Sequence, residues 1–314
     1  MPACQTGIEP VNTVDGRDVR AEMRHFVVEL SAYAKSLNPD FLIIPQNGQE
    51  LVTDTGEASG VPQTDYLSAI DATGRENLFY GYHHDNRETP AEETRHMVDL
   101  CLLCETYGVE VLTTDYCSSP GKMDHSYMVN QDYGFISFAA DERELTNIPS
   151  YPAQPYHENA EDVVHISEAK NFLYLINTED FASRQAFVDA VSRTNYDLII
   201  MDLFHEGQAY TSAELSKLKT KHNGGRRLVV AYVSIGQAED YRFYWQANWR
   251  AGNPVWLDHE DPDWRGNFYV RYWESAWQNI IYGSVDAYID RTMAAGFDGV
   301  YLDRVDAFEF FEEQ

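Results

Sequence analysis

A chain of 314 residues with 44% hydrophobic content can bury one large core or two modest ones. Its 51 acids against 23 bases give a net charge of −28, which repels phosphates and argues against nucleic acid as a partner, favouring a cationic ligand or plain solubility as the reason for the acidity. No stretch approaches a membrane span, and the N-terminus shows no apolar signal region, so any export signal is expected to have been removed.

Residues 1–16, rich in Gly, Pro and Thr, read as a loose lead-in. From Asp18 to Leu37 the spacing of Val19, Met23, Phe26, Val27, Leu30 and Ala34 predicts a helix stopped by Asn38-Pro39. Residues 41–44 read as a buried strand, 66–70 as a short helix, and 78–82 as the next strand, opening into a His-His-Asp-Asn loop. A helix over 91–107, ended by Gly108, leads to a strand over 109–115 that finishes on Asp115. Residues 134–138 are a candidate extra strand, and 148–162, with three prolines, form the most linker-like stretch of the chain.

The second half restarts with a strand at 171–176, a helix at 181–191 and a strand at 197–201 followed by Asp202. A helix at 212–221 precedes the strand 227–233, and all six tryptophans fall between Trp245 and Trp277, with a candidate strand at 267–272. A helix over 276–295 then turns at Gly296 into the strand 299–302, which ends on Asp303 and Asp306. The Cys101-x-x-Cys104 pair sits inside the 91–107 helix rather than at a helix start after a strand, which disfavours a redox or zinc motif.

Eight strands alternating with helices predict a single (β/α)₈ TIM barrel rather than an open doubly wound sheet, and no G-x-G-x-x-G follows the early strands. The order is unusual, since the pattern starts on a helix and ends just after a strand. We read this as a circular permutation, with the helix at 18–37 covering the strand at 299–302 across the joined ends. Residues 17–140 are then the usual C-terminal half, 169–310 the usual N-terminal half, and 148–168 a linker spanning the usual termini.

Acids or amides end nearly every strand: Asn47 and Glu50, Asp115, Asn177, Asp202, Glu239 and Asp240, Asp303 and Asp306. In a barrel these gather at one mouth. Few basic side chains are expected to neutralise it, and with 21 Tyr in the chain flat aromatic platforms for sugar rings are expected beside the acids. Two carboxylates across a substrate are the minimum apparatus of glycoside hydrolysis. Metal binding by the same acids is a competing reading, although no tight ligand motif is present, and no cofactor is called for. There is no G-x-S-x-G elbow.

The segments 233–245 (Val-Ser-Ile-Gly-Gln-Ala-Glu-Asp-Tyr-Arg-Phe-Tyr-Trp), 264–273 (Trp-Arg-Gly-Asn-Phe-Tyr-Val-Arg-Tyr-Trp), 296–303 (Gly-Phe-Asp-Gly-Val-Tyr-Leu-Asp) and 44–51 (Ile-Pro-Gln-Asn-Gly-Gln-Glu-Leu) resemble glycoside hydrolase family 114, the endo-α-1,4-polygalactosaminidase-like TIM barrels. That family usually runs in the order 171–310 and then 20–140, in agreement with the permutation. The resemblance implies Asp303 and Glu50 as the catalytic carboxylates, Asp303 favoured as nucleophile and Glu50 as acid/base. Asp202, Glu239, Tyr241, Arg242, Tyr82, Asp115, Tyr116, Asn47 and Asp306 are expected substrate contacts, chiefly from strand-end placement, with an ion pair to a neighbouring acid as the alternative for Arg242. Gln237 stands where the family more often has Glu. The implied substrate is a partly de-N-acetylated α-1,4-galactosamine polymer, a cationic polysaccharide that suits an acidic chain, and the implied setting is secreted or cell-surface. The competing classes are a catalytically silent carbohydrate-binding barrel and a metal-dependent hydrolase.

Overall fold

The computed structural model describes residues 13–314, so Cys4 and most of the expected lead-in lie outside the described residues. Helix α1 (Val19–Leu37) forms where its pattern predicts. Asp18 caps it by accepting the Ala21 N–H at 2.9 Å, and Val19, Met23, Phe26, Val27, Leu30 and Ala34 are buried along one stripe.

Eight strands pair in parallel in two sheets: β1 (Leu42–Pro45), β2 (Ala72–Glu76), β3 (Glu110–Tyr116), β4 (Ile136–Ala140), β5 (Phe172–Tyr174), β6 (Leu198–Asp202), β7 (Leu228–Ser234) and β8 (Gly299–Asp303). The five-stranded sheet has the order β1-β8-β7-β6-β5, and the three-stranded sheet β2-β3-β4. A parallel bridge between Gln46 and Gly74 joins the edges at β1 and β2. At the other edges the Phe138 and Phe172 rings, on β4 and β5, lie 5.7 Å apart. Helices α2 (Thr64–Ala69), α3 (Ala91–Thr106), α4 (Pro120–Tyr133), α5 (Arg184–Val191), α6 (Ser212–Leu218), α7 (Ser275–Ile281), α8 (Tyr288–Ala295) and α9 (Phe308–Glu312) alternate with the strands. This is a parallel α/β architecture of TIM-like type. Among the described residues, no helix is long and apolar enough to cross a membrane.

Two of the eight expected strands are replaced. Residues 78–82 are a loop: the Phe79 and Tyr80 amides donate to Asp115 at 2.8 and 3.1 Å, and Gly81 takes a left-handed φ of 110°. The strand lies earlier, at Ala72–Glu76, where Ala-Thr-Gly-Arg-Glu offers no apolar run. Residues 267–270 form a strand, but in an antiparallel three-stranded sheet with 237–239 and 257–260. The candidate extra strand at 134–138, observed as β4, takes the vacant parallel place. The expected helix over 276–295 is two helices, parted around Gly283 at φ 102°, and α4, opened by Pro120 and closed by left-handed Gly134, was not expected.

Beginning and end of the described chain meet. β8 pairs with β1 in register from Gly299 opposite Leu42 to Leu302 opposite Pro45. Arg20 of α1 forks onto Glu312 at 2.6 and 2.9 Å and covers the Phe308 ring, while the Tyr272 hydroxyl donates to the Val19 carbonyl. The segment 148–168 has one short turn, Ile166–Glu168, and is pinned where Tyr156 stacks on Tyr127 at 4.7 Å and Asn159 donates to Asp197 at 2.9 Å.

Candidate active site

Parallel pairing puts the C-terminal ends of the strands along one edge. Asp202 ends β6, Asp303 ends β8 and Glu76 ends β2. There they line a cavity of about 550 Å³. Asp303, Asp306, Asp202, Glu239, Tyr241, Arg242, Tyr116 and Asn47, all expected contacts, line it. Three expected residues do not.

Glu50, the expected partner of Asp303, is not among the lining residues. It sits in the 3₁₀ turn Gln49–Val52 beside His96, 3.7 Å away. Burial pushes its carboxyl up, but the His96 hydrogen bond and the Arg75 charge outweigh that and hold it below the usual range. Asp115 is wholly buried and points away from the cavity, accepting from the Phe79 and Tyr80 amides, the Ser126 hydroxyl and Asn130. Neighbours on a strand face opposite ways, so Tyr116 reaches the cavity and Asp115 cannot. Tyr82, in the 78–82 loop, is exposed and also lies off the cavity wall.

The floor is set by tyrosines from three strands, with a fourth packed behind them. Tyr116 of β3 donates to Glu76, Tyr232 of β7 donates to Asp303, and Tyr174 of β5 donates to Gln46 at 2.8 Å. Tyr301 of β8 stands beside Tyr174 with ring centroids 5.2 Å apart. Gly74 makes room for it, because a Cβ there would lie 1.9 Å from the Tyr301 hydroxyl oxygen. Glu76 is two residues further along β2, on the same face as Gly74 and so toward the cavity. It is locked by Asn47, whose Nδ2 donates to Glu76 at 3.2 Å while its Oδ1 accepts the Glu76 amide at 3.1 Å.

Burial raises the Asp303 carboxyl to about 6 against the opposing pull of Arg304 and the Tyr232 hydrogen bond, and the charges of Asp306 and Glu76 add to the rise. Arg304 is held in a left-handed conformation, φ 60°, with its guanidinium on Asp261 at 2.8 Å. Asp261 also accepts from Gln237 at 2.7 Å, so Gln237 acts behind the wall. On the opposite wall Arg242 bonds Asp202 and Glu239, each at 2.6 Å. Burial alone would lower its pKa, but the two carboxylates outweigh burial and raise it. This ion-pair cluster is the alternative weighed for Arg242.

The expectation of few basic side chains is corrected: Arg143, Arg242, Arg265 and Arg304 line the cavity with seven acids, Glu76, Glu144, Glu179, Asp202, Glu239, Asp303 and Asp306. The acids still outnumber the arginines. Sequence reading missed Glu76 because its strand was placed at 78–82. Buried Cys101 and Cys117 carry thiols that burial raises to about 12, which leaves them inert. Among the described residues no group of three or more His, Cys, Asp or Glu side chains is set to hold a metal ion.

The profile of glycoside-hydrolase family GH114 matches residues 156–314. The uncharacterized protein MJ1477 of Methanocaldococcus jannaschii is 38% identical over 158 residues, which are 49% of this chain and 43% of the relative. An uncharacterized protein of Thermotoga maritima is 36% identical over 144 residues, 46% and 41% of the two chains, and one of Deinococcus radiodurans is 44% identical over 126 residues, 40% and 38%. The matches cover less than half the length of each of these relatives. The matched segment carries β5 to β8, with Asp202, Tyr232, Glu239, Arg242 and Asp303 of the cavity, and on that ground the chain belongs to glycoside hydrolase family 114.

Proposed function

We propose that the protein is an endo-acting glycosidase of a cationic, galactosamine-rich α-1,4 polysaccharide, with Asp303 and Glu76 as its two carboxylates. The observation that carries this reading is that both acids line one cavity and each accepts a hydrogen bond from a floor tyrosine. Asp303, raised to about 6, holds a proton in mildly acidic solution and donates it to the leaving oxygen. Glu76, accepting from Tyr116 and Asn47, is the group that attacks or activates water. This exchanges the expected part of Asp303 and puts Glu76 in the place of Glu50. The acid excess of the cavity supports ammonium-bearing sugars over neutral ones. A substrate of this size places the reaction outside the cell or at its surface.

The same reading includes closure of the two sheets into a barrel through the Gln46–Gly74 bridge and the β4–β5 edge. It also includes the permuted order, since the first parallel strand of the chain lies against the last. The test is release of reducing ends from de-N-acetylated α-1,4-galactosamine polymer. Asp303→Asn and Glu76→Gln each lower kcat by at least about 10³-fold, whereas Glu50→Gln stays within about tenfold of wild type. If Glu50→Gln is as dead as Asp303→Asn while Glu76→Gln turns over normally, the pair is misassigned. If wild type releases nothing at any pH, the hydrolytic reading is wrong.

A further inference from the structure

Beyond the Asp202–Arg242 wall lies a second cavity of about 700 Å³. It shares Ile176, Asn177, Glu179, Asp202, Tyr241 and Arg242 with the first, so the two cavities adjoin across Tyr241. Its own surface differs in chemistry. Phe181, Phe204 and Phe243 line it, with the Phe204 and Phe243 rings 5.5 Å apart and Phe243 38% exposed. His205, only 6% exposed, also lines it, and its Nδ1 is buried without a hydrogen-bond partner. A buried ring nitrogen left unpaired costs free energy unless a ligand completes it. Glu179 and Glu206 add negative charge and have no ion-pair partner among the described residues.

We infer that this cavity is a remote subsite that holds a further pyranose unit of the same chain, one or more residues away from the bond being cleaved. The apolar face of the ring lies on Phe204 and Phe243, a hydroxyl pairs with His205 Nδ1, and an amino substituent faces Glu179 and Glu206. The inference rests on the glycosidase reading above and deepens it, since the subsite makes cleavage depend on chain length.

The experiment uses α-1,4-galactosamine oligomers of two to six residues as the probe. In wild type, kcat/KM rises by about tenfold once the oligomer is long enough to occupy the remote position, equivalent to about 1.4 kcal/mol. In Phe243→Ala and His205→Ala the gain from dimer to hexamer shrinks by about tenfold. Phe243→Trp keeps it, which separates loss of stacking from loss of fold. Binding to the Asp303→Asn variant by calorimetry gives the same dependence on length without turnover. A gain with length that persists in Phe243→Ala and His205→Ala overturns the subsite while leaving the glycosidase intact. Absence of both turnover and binding for every oligomer overturns the glycosidase reading and the subsite with it.

Discussion

Burial of a carboxylate sets the proton affinity of the cavity, and the Arg304 charge and a tyrosine hydroxyl oppose it. The Tyr232 hydrogen bond lowers the Asp303 pKa, and burial keeps it near 6 despite that. A raised folded pKa means that the protonated, donating form predominates below about 6 and is lost as pH rises through it. The free-enzyme profile of kcat/KM is therefore expected to fall on its alkaline side near pH 6. Tyr232→Phe removes a contact that favours the ionised form, so the descending limb moves to higher pH, by about one to two units for a hydrogen bond to a charged group. A limb that moves to lower pH, or stays in place, would show that Asp303 is not the proton donor. Asp115 is the residue-scale counterexample: an acid at a strand end, but turned by the pleat into a shell of amide and hydroxyl donors.

The decisive element is β2. Its sequence Ala-Thr-Gly-Arg-Glu has neither an apolar run nor β-branched density; it pairs with β3 from Ala72 opposite Glu110 to Glu76 opposite Thr114, and Gly74 leaves the space that Tyr301 fills. Gly74→Ala forces the Tyr301 ring aside or displaces β2. We expect a loss of about 1–3 kcal/mol in chemical denaturation and a fall in activity, since Glu76 is two residues away. Tyr301→Phe in that background recovers only part of the loss, because a ring carbon is still 2.5 Å from the added Cβ. Full stability in Gly74→Ala would mean that β2 does not pack against Tyr301 as described. The antiparallel sheet of 237–239, 257–260 and 267–270 belongs to this scale too: it brings Glu239 and Asn267 to the cavity and uses the tryptophan-rich segment as its support.

Across the whole molecule, the seam between α1 and α9, with Arg20 on Glu312 and β1 against β8, makes permutation a physical proposition. A chain opened within 148–160 and joined from residue 314 to residue 13 by a short flexible linker is expected to fold with the same circular dichroism and retain activity within about tenfold, as closing a short loop costs little. Failure of that chain to fold, beside a normally folding parent, counts against the proposed order. The net charge of −28 gives a second outcome at this scale. Raising ionic strength from about 10 to about 200 mM is expected to lower kcat/KM on the cationic polymer several-fold with kcat little changed, and to leave a fully N-acetylated polymer unaffected. An equal salt effect on both polymers would remove electrostatic steering from the account.

The sequence by itself determined what local pattern can encode. It placed α1 by its apolar stripe and cap, the parallel strands β6 and β7 by their apolar runs, the acid at the end of β8, and the family through contiguous motifs around Asp303. Periodicity and capping are properties of neighbours in the chain, so they are visible there. Only the tertiary structure decided that Glu76 rather than Glu50 shares a cavity with Asp303, that Asp115 serves the fold, and that β2 and β4 rather than 78–82 and 267–272 complete the parallel set. Those outcomes depend on which face of a strand meets a side chain hundreds of residues away, as Gly74 meets Tyr301, and no local pattern carries that information.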